Sequence, residues 1–223
     1  MERRNLILGG FAVAGLGGWA LTSGIGGGGS AVTDISIAGP ANAQSNSGDL
    51  DTSSIPEMVL GNPDSPVTLI EYASYTCPHC ASFHAGAFKQ LKEEYIDTNK
   101  IKFVYREIYF DRPGLWASMV ARCGGGEKFF GISDLIYKSQ SEWARAGEPA
   151  AIVEELRKIG RLAGLDNETL EGCLQNAEMA QTLVAWSQEN SERDDVRATP
   201  SLNLNGTTHR NMAYSELKAL IDA

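Results

Sequence analysis

Val67-Thr68-Leu69-Ile70-Glu71-Tyr72 runs through Ala73-Ser74-Tyr75-Thr76 into Cys77-Pro78-His79-Cys80, and Ala81 to Tyr95 follows. The first run is almost continuously apolar, as expected of a strand buried on both faces. The last run places Phe83, Phe88, Leu91 and Tyr95 at helical spacing. Two cysteines separated by two residues lie within disulfide reach of each other. Between a strand and a helix, Cys77 falls at the helix start, where unpaired N–H groups and the helix dipole favour an anion. That anion is a thiolate, the nucleophilic form of cysteine. The alternative is half of a zinc site, but zinc usually needs two more closely spaced ligands. Cys123 and Cys173 lie far off and singly, and His84 is the only nearby histidine outside the loop. A purely stabilising Cys77–Cys80 disulfide is the other bland reading; it closes too small a loop to restrain the unfolded chain much.

Outward from this loop, Ile101-Lys102-Phe103-Val104-Tyr105-Arg106-Glu107-Ile108 is a second strand, so that strand, helix and strand form one βαβ unit. Ser201 to Asn205 supplies a third strand. Tyr214 to Ala223 supplies a closing helix, with Leu217, Leu220 and Ile221 expected to face inward. Between Arg112 and Asn190 no strand stands out. Leu115, Met119 and Cys123 recur at helical spacing, as do Ile152, Leu156 and Ile159. Leu170, Cys173 and Leu174 follow Asp166, a helix N-cap by type, and Met179, Leu183 and Trp186 continue the pattern. The expected class is therefore α/β, with a mostly helical insertion of about 80 residues.

The N-terminus reads as an export signal. Arg3-Arg4 precede an apolar, glycine-rich run from Leu6 to Leu21. That run is shorter than the roughly 20 residues of a membrane span. Paired arginines suggest the twin-arginine type, although the usual Phe-Leu-Lys continuation is absent. Ala41-Asn42-Ala43 has the small-x-small form of a cleavage site, set well beyond the apolar run. An uncleaved anchor with a flexible tether is the competing reading. Either places the cysteines outside the cytoplasm, where disulfides persist. Residues 22–54 are rich in Gly, Ser, Ala, Asn and Asp and are expected to be disordered. The expected segments are thus 1–43 (signal and spacer), 44–54 (linker), 55–111 and 192–223 (the two parts of the α/β domain), and 112–191 (the insertion). The net charge is −9, from 19 basic and 28 acidic residues, which argues against a nucleic-acid partner.

The stretch from Glu71 to Cys80 resembles the active-site segment of the DsbA family of thioredoxin-fold oxidases. The Pro78-His79 dipeptide between the cysteines and an acidic residue six positions before the first carry the likeness. Thr199-Pro200, leading into Ser201-Leu202-Asn203-Leu204, resembles the cis-proline loop and following strand that pack against the cysteines in thioredoxin folds. The resemblance covers roughly Ser54 to Ala223 and is architectural between the two motifs. It implies a thioredoxin fold with an inserted helical subdomain, dithiol–disulfide exchange with reduced exported proteins, and reoxidation by a quinone-linked membrane partner of the DsbB type. It implies a periplasmic, monomeric protein, with neither metal nor organic cofactor required.

Within that reading Cys77 is the exposed, attacked sulfur and Cys80 the buried one. His79 donates a hydrogen bond or a charge to the thiolate; its bland alternative is an exposed loop histidine. Pro78 forms with His79 the dipeptide that the resemblance places between the cysteines. Glu71, in an apolar strand, accepts or relays the Cys80 proton, or else is a strand-edge carboxylate in water. Thr199 places a hydroxyl beside the thiolate, and Pro200 sets the loop. His84 is expected to be packed or on the surface rather than catalytic, and His209 to lie on the surface. Trp116, Trp143 and Trp186 read as core or interdomain filler. Cys123 and Cys173, left over in an exported protein, pair in a structural disulfide, remain as two buried thiols, or form a second redox pair. Two other activities stay open: a disulfide isomerase or reductase, for which Thr199 speaks, and a non-catalytic binding module or chaperone.

Overall fold

The structure is a computed structural model and describes residues 50–223. The expected signal, cleavage site and most of the linker lie outside the described residues. Residues 50–54, expected to be disordered, instead join the domain. Asp51 caps a short helical turn, Thr52–Ser54, and the Thr52 hydroxyl donates to Glu189 at 2.7 Å.

Five strands form one sheet: β1 (Met58–Gly61), β2 (Thr68–Ala73), β3 (Lys102–Glu107), β4 (Ser201–Leu204) and β5 (Thr207–Arg210). Their order is β1-β3-β2-β4-β5. β2 and β3 are parallel, which requires a crossover; the other pairs are antiparallel. The crossover comprises α1 (Pro78–Ala85), α2 (Ala87–Leu91) and a wide turn, Lys92–Ile96. The single helix expected over 81–95 therefore starts earlier, because Pro78 suits the first helical position, and breaks at Gly86. β1 and β5 were not expected. β1 is only four residues long and runs straight into a turn cluster. β5 is polar, and it holds His209 opposite Leu202 as a partly buried strand residue rather than a surface one.

Residues 112–193 contain no strand. α3 (Arg112–Cys123), α4 (Gly125–Lys138), α5 (Gln140–Trp143), α6 (Pro149–Leu162), α7 (Asn167–Leu174) and α8 (Ala177–Arg193) form the expected helical insertion. Asp166 caps α7 through the Thr169 N–H. Phe129, Ile132 and Ile136 of α4, all fully buried, carry its packing, each contributing roughly 1.5–3 kcal/mol. All three tryptophans expected as filler are buried. The final helix, α9 (Tyr214–Ile221), buries Leu217, but Leu220 is 38% exposed and corrects the inward assignment. At eight residues the helix presents only a narrow face to its neighbours.

Sheet and insertion are joined by a buried ion pair. Arg122 on α3 donates from Nε and Nη2 to the two carboxylate oxygens of Glu107, the last residue of β3, at 2.6 and 2.7 Å. The residues are 7% and 1% exposed. Ser118 adds a donor to Glu107 at 2.9 Å, and Arg122 Nη1 donates to the Pro56 carbonyl at 3.1 Å. The guanidinium lies 5.0 Å from the centre of the Trp186 ring and 5.7 Å from that of Phe129. The next residue, Cys123, is bonded to Cys173 of α7 across a sequence separation of 50, the structural disulfide expected of this pair.

Breaking this junction should be costly. Arg122→Met leaves a carboxylate buried without its counter-charge, and should lose about 3–5 kcal/mol in urea denaturation. Pairing it with Glu107→Leu should recover most of that loss. A single variant within about 1 kcal/mol of the parent would contradict this account of the junction. Replacing both Cys123 and Cys173 with Ser should lower stability by up to about 4 kcal/mol, the entropy of a loop of this length.

Candidate active site

β2 is the central strand, and its alternation decides the site. Leu69, Glu71 and Ala73 face α1, while Tyr72 faces the opposite side, where it is tied to Asp194 and Arg106. Glu71, paired in register with Tyr105 on one side and Leu202 on the other, is fully buried. After β2 the chain turns tightly, with the Cys77 N–H donating to the Ser74 carbonyl at 3.1 Å. The turn is anchored to the insertion. The Thr76 hydroxyl donates to Asp111, the N-cap of α3, at 2.9 Å. The Gln140 side-chain amide of α5, itself buried, donates to the carbonyls of Tyr75 at 2.7 Å and Cys77 at 3.0 Å.

Cys77 is the N-cap of α1 and Pro78 its first residue. The sulfur of Cys77 is partly exposed, whereas Cys80, one turn on, is fully buried; the two are unbonded here. The sequence-predicted partner loop arrives from far along the chain. The Thr199–Pro200 peptide is cis, and the Thr199 carbonyl accepts from Cys77 Sγ at 3.5 Å. Pro78 and His79 are exposed, and Thr199 is half-buried.

The two thiols are polarised in opposite directions. The Cys80 thiol, hydrogen-bonded to Cys77, does most to lower the Cys77 pKa from 9.0 to about 5. Partial burial opposes this, while the Thr199 side chain and the backbone N–H groups of Cys80 and His79 add to it. His79 thus acts on the sulfur through its main chain, whereas the sequence suggested its ring. Cys80 is pushed far above the thiol range, first by burial, then by its hydrogen bond to Cys77 and by the charge of Glu71.

Glu71 has a partner that sequence reasoning set aside. His84 Nε2 lies 3.1 and 3.0 Å from the two Glu71 carboxylate oxygens. The imidazole stacks on Tyr137 of α4, with ring centres 4.3 Å apart, and lies 4.5 Å from Phe88. The available signal was the spacing: His84 follows Cys80 by four residues on one helix, so the two share a face. Gln140, Tyr137 and Asp111 were also missed, because nothing local marks them. Among the described residues no group of three or more His, Cys, Asp or Glu is arranged to hold a metal.

Comparison with known proteins agrees with this geometry. Residues 53–223 match the family model described as "Thioredoxin". A Rickettsia bellii protein named "Putative protein-disulfide oxidoreductase" is 38% identical over 167 residues, covering 74% of this chain and 63% of that protein. The chain therefore spans a little under two thirds of that relative's length. Disulfide bond formation protein D of Bacillus subtilis is 27% identical over 176 residues, covering 74% of this chain and 75% of that one. Among solved structures, α-DsbA1 of Wolbachia pipientis superposes with a TM-score of 0.68 at 26% identity, covering 75% of this chain and 90% of that one. With a reactive pair at the head of α1, a cis-proline loop against it and a family match across the whole described domain, the chain belongs to the thioredoxin family, and its relatives there are of the DsbA type.

Proposed function

We propose that the protein is a thiol–disulfide oxidoreductase that introduces disulfides into exported proteins. The observation that carries this reading is the arrangement of the pair, with Cys77 open to solvent beside Thr199–Pro200 and Cys80 sealed behind it. A substrate thiolate attacks Cys77 Sγ of the oxidised pair, the Cys77–Cys80 bond breaks and Cys80 leaves. A second substrate thiolate attacks the mixed disulfide and Cys77 leaves. A thiol held near pH 5 is a good leaving group at neutral pH, which drives the exchange toward oxidised substrate. Glu71 supplies and removes the proton that Cys80 needs. Pro78 and His79 hold the first turn of α1 and its N–H groups at the sulfur. Thr199 offers exposed backbone beside Cys77, onto which an extended substrate segment pairs as an added strand.

The redox group is the cysteine pair itself, so the reaction asks for neither metal nor organic cofactor. The family likeness supports a quinone-linked membrane partner of the DsbB type as the reoxidant, reduced exported proteins as substrates, and action as a monomer. Arg3-Arg4 and the apolar run behind them support export to the periplasm. A second reading, isomerase or reductase, rests on the residue type before Pro200, since threonine at the Thr199 position is commoner in isomerase-like relatives.

In the reduced protein, thiolate absorbance should rise with a midpoint near pH 5. Because the folded value is depressed, the thiolate stabilises the reduced fold fully above the free value of 9.0, and that stabilisation is lost as pH falls through about 5. The melting temperature of the reduced form should therefore gain on that of the oxidised form between these limits. A midpoint at the free-thiol value would remove the basis for strong oxidation. Thr199→Val should raise the midpoint and shift the balance between oxidation and isomerisation without unfolding the protein.

The activity itself is tested by mixing oxidised protein with a reduced dithiol peptide. Thiols should disappear from the peptide with the parent and persist with Cys77→Ala. Mixed with the disulfide form of the peptide instead, Cys80→Ala should trap a mixed disulfide, as the Cys77 thiolate attacks the peptide's disulfide and one peptide thiolate leaves. Equal binding of the peptide by all three, with no thiol lost, would favour the non-catalytic binding module.

A further inference from the structure

Three groups lie in sequence behind the reactive sulfur, and they differ in their access to water. Cys80 and Glu71 are both 0% exposed, whereas the His84 side chain is 8% exposed. A proton taken up or released at Cys80 must cross this apolar layer, and Glu71 has no solvent contact through which to pass it on. His84 holds both carboxylate oxygens of Glu71 through one ring nitrogen and, though buried in α1, is the one of the three with a solvent-accessible edge. The other titratable side chains packed around the pair are Tyr105 of β3, Tyr137 of α4 and Tyr75 of the β2–α1 turn, with the Glu107–Arg122 pair farther along β3. Tyr105 and Tyr137 bond to each other at 2.7 Å, and Tyr137 also donates to the Ser74 carbonyl. Burial holds all three phenols protonated, so none of them ionises at neutral pH.

We infer that His84 and Glu71 form a two-member proton relay, in which Glu71 exchanges a proton with Cys80 and His84 exchanges it between Glu71 and solvent. The inference rests on the exchange reading above. When a substrate thiolate bonds to Cys77 and the Cys77–Cys80 bond breaks, the electron pair goes to Cys80 Sγ. The Glu71 carboxylic acid gives its proton to that sulfur, the His84 Nε2–H restores the proton to Glu71, and water restores it to His84. Reoxidation by a disulfide-bearing protein runs the relay backward. Once the Cys77 thiolate has attacked the partner disulfide, Cys80 loses its proton to Glu71 as its sulfur displaces the partner thiolate from Cys77. His84 then takes that proton from Glu71 and returns it to water. His84 acts through Glu71, so it is a positioning and relay residue rather than one that touches the sulfurs.

His84→Gln separates the relay from a structural role, because glutamine keeps a donor toward Glu71 but takes up no proton. Reduction of the oxidised full chain by dithiothreitol would be followed in stopped flow between about pH 4 and 9, a window spanning carboxyl and imidazole ionisation. The parent profile should carry an ionisation that His84→Gln lacks, with the variant slower by up to about 10²-fold where proton delivery limits the rate. Superimposable profiles would overturn the relay while leaving the exchange activity intact. A parent that exchanges no disulfide at all would overturn the activity, and the relay with it. A second measurement needs no variant at His84. In nitrogen NMR of the parent, the His84 ring should titrate differently in the oxidised and reduced proteins, and that difference should vanish in Glu71→Gln. Identical titration in both redox states of the parent would overturn the proposal even if His84→Gln failed to fold.

Discussion

The bidentate contact between Glu107 and Arg122 is the constraint on which the rest of the domain depends. Two opposite charges withdrawn from water tolerate each other only in good geometry and with their remaining polar positions filled. Here Ser118, the Pro56 carbonyl and two aromatic rings complete that shell. Each neighbour belongs to a different segment, so one packing of β3, α3, α8 and the N-terminal segment is selected over its competitors. The Ser187 hydroxyl of α8 donates to the Glu107 backbone carbonyl at 2.8 Å and adds a further tie. With β3 fixed in this way, its parallel partner β2 is fixed too, and with β2 the turn that presents Cys77.

How much of this was legible in the sequence follows from the range of each interaction. The β2–α1 unit was readable because its signals are local: an apolar run, two cysteines and a proline at a helix start. Residue type and spacing also gave the insertion's helices, through stripes such as Ile152, Leu156 and Ile159. The cis-proline loop was found by likeness of motif, since no local physics links Thr199 to Cys77 across 122 positions. β1 and β5 escaped because four-residue strands carry little periodicity, and β5 has the polar composition of a sheet edge. The break at Gly86 escaped because a glycine inside an apolar helical pattern is usually tolerated.

The site shows the same division. Residue chemistry named Cys77, Cys80 and Glu71, and the structure places them on adjoining elements, but the polarisation of the two thiols depends on depth, which sequence does not record. Cys80 is costly to ionise because it sits where water is absent, bonds to Cys77 and faces the charge of Glu71. Cys77 offsets its smaller burial cost first through the Cys80 thiol, then through Thr199 and the open N–H groups of α1. His84 was visible as a residue four places beyond Cys80 but not as the partner of a carboxylate on a neighbouring strand.

The Gln140 amide gives the insertion a place in the chemistry that its distance along the chain conceals. Its one NH2 group holds the backbone on both sides of Thr76, so the loop bearing the nucleophile is built jointly by two subdomains. A minimal thioredoxin-sized version of this protein, with residues 112–193 excised, would keep both cysteines and the cis-proline. It would also take the Gln140 donor from the Tyr75 and Cys77 carbonyls at the active turn, and α3 from behind Asp111, the partner of Thr76. The helical subdomain is thus a structural half of the active loop, and an evolutionary lineage could not discard it without first rebuilding that turn.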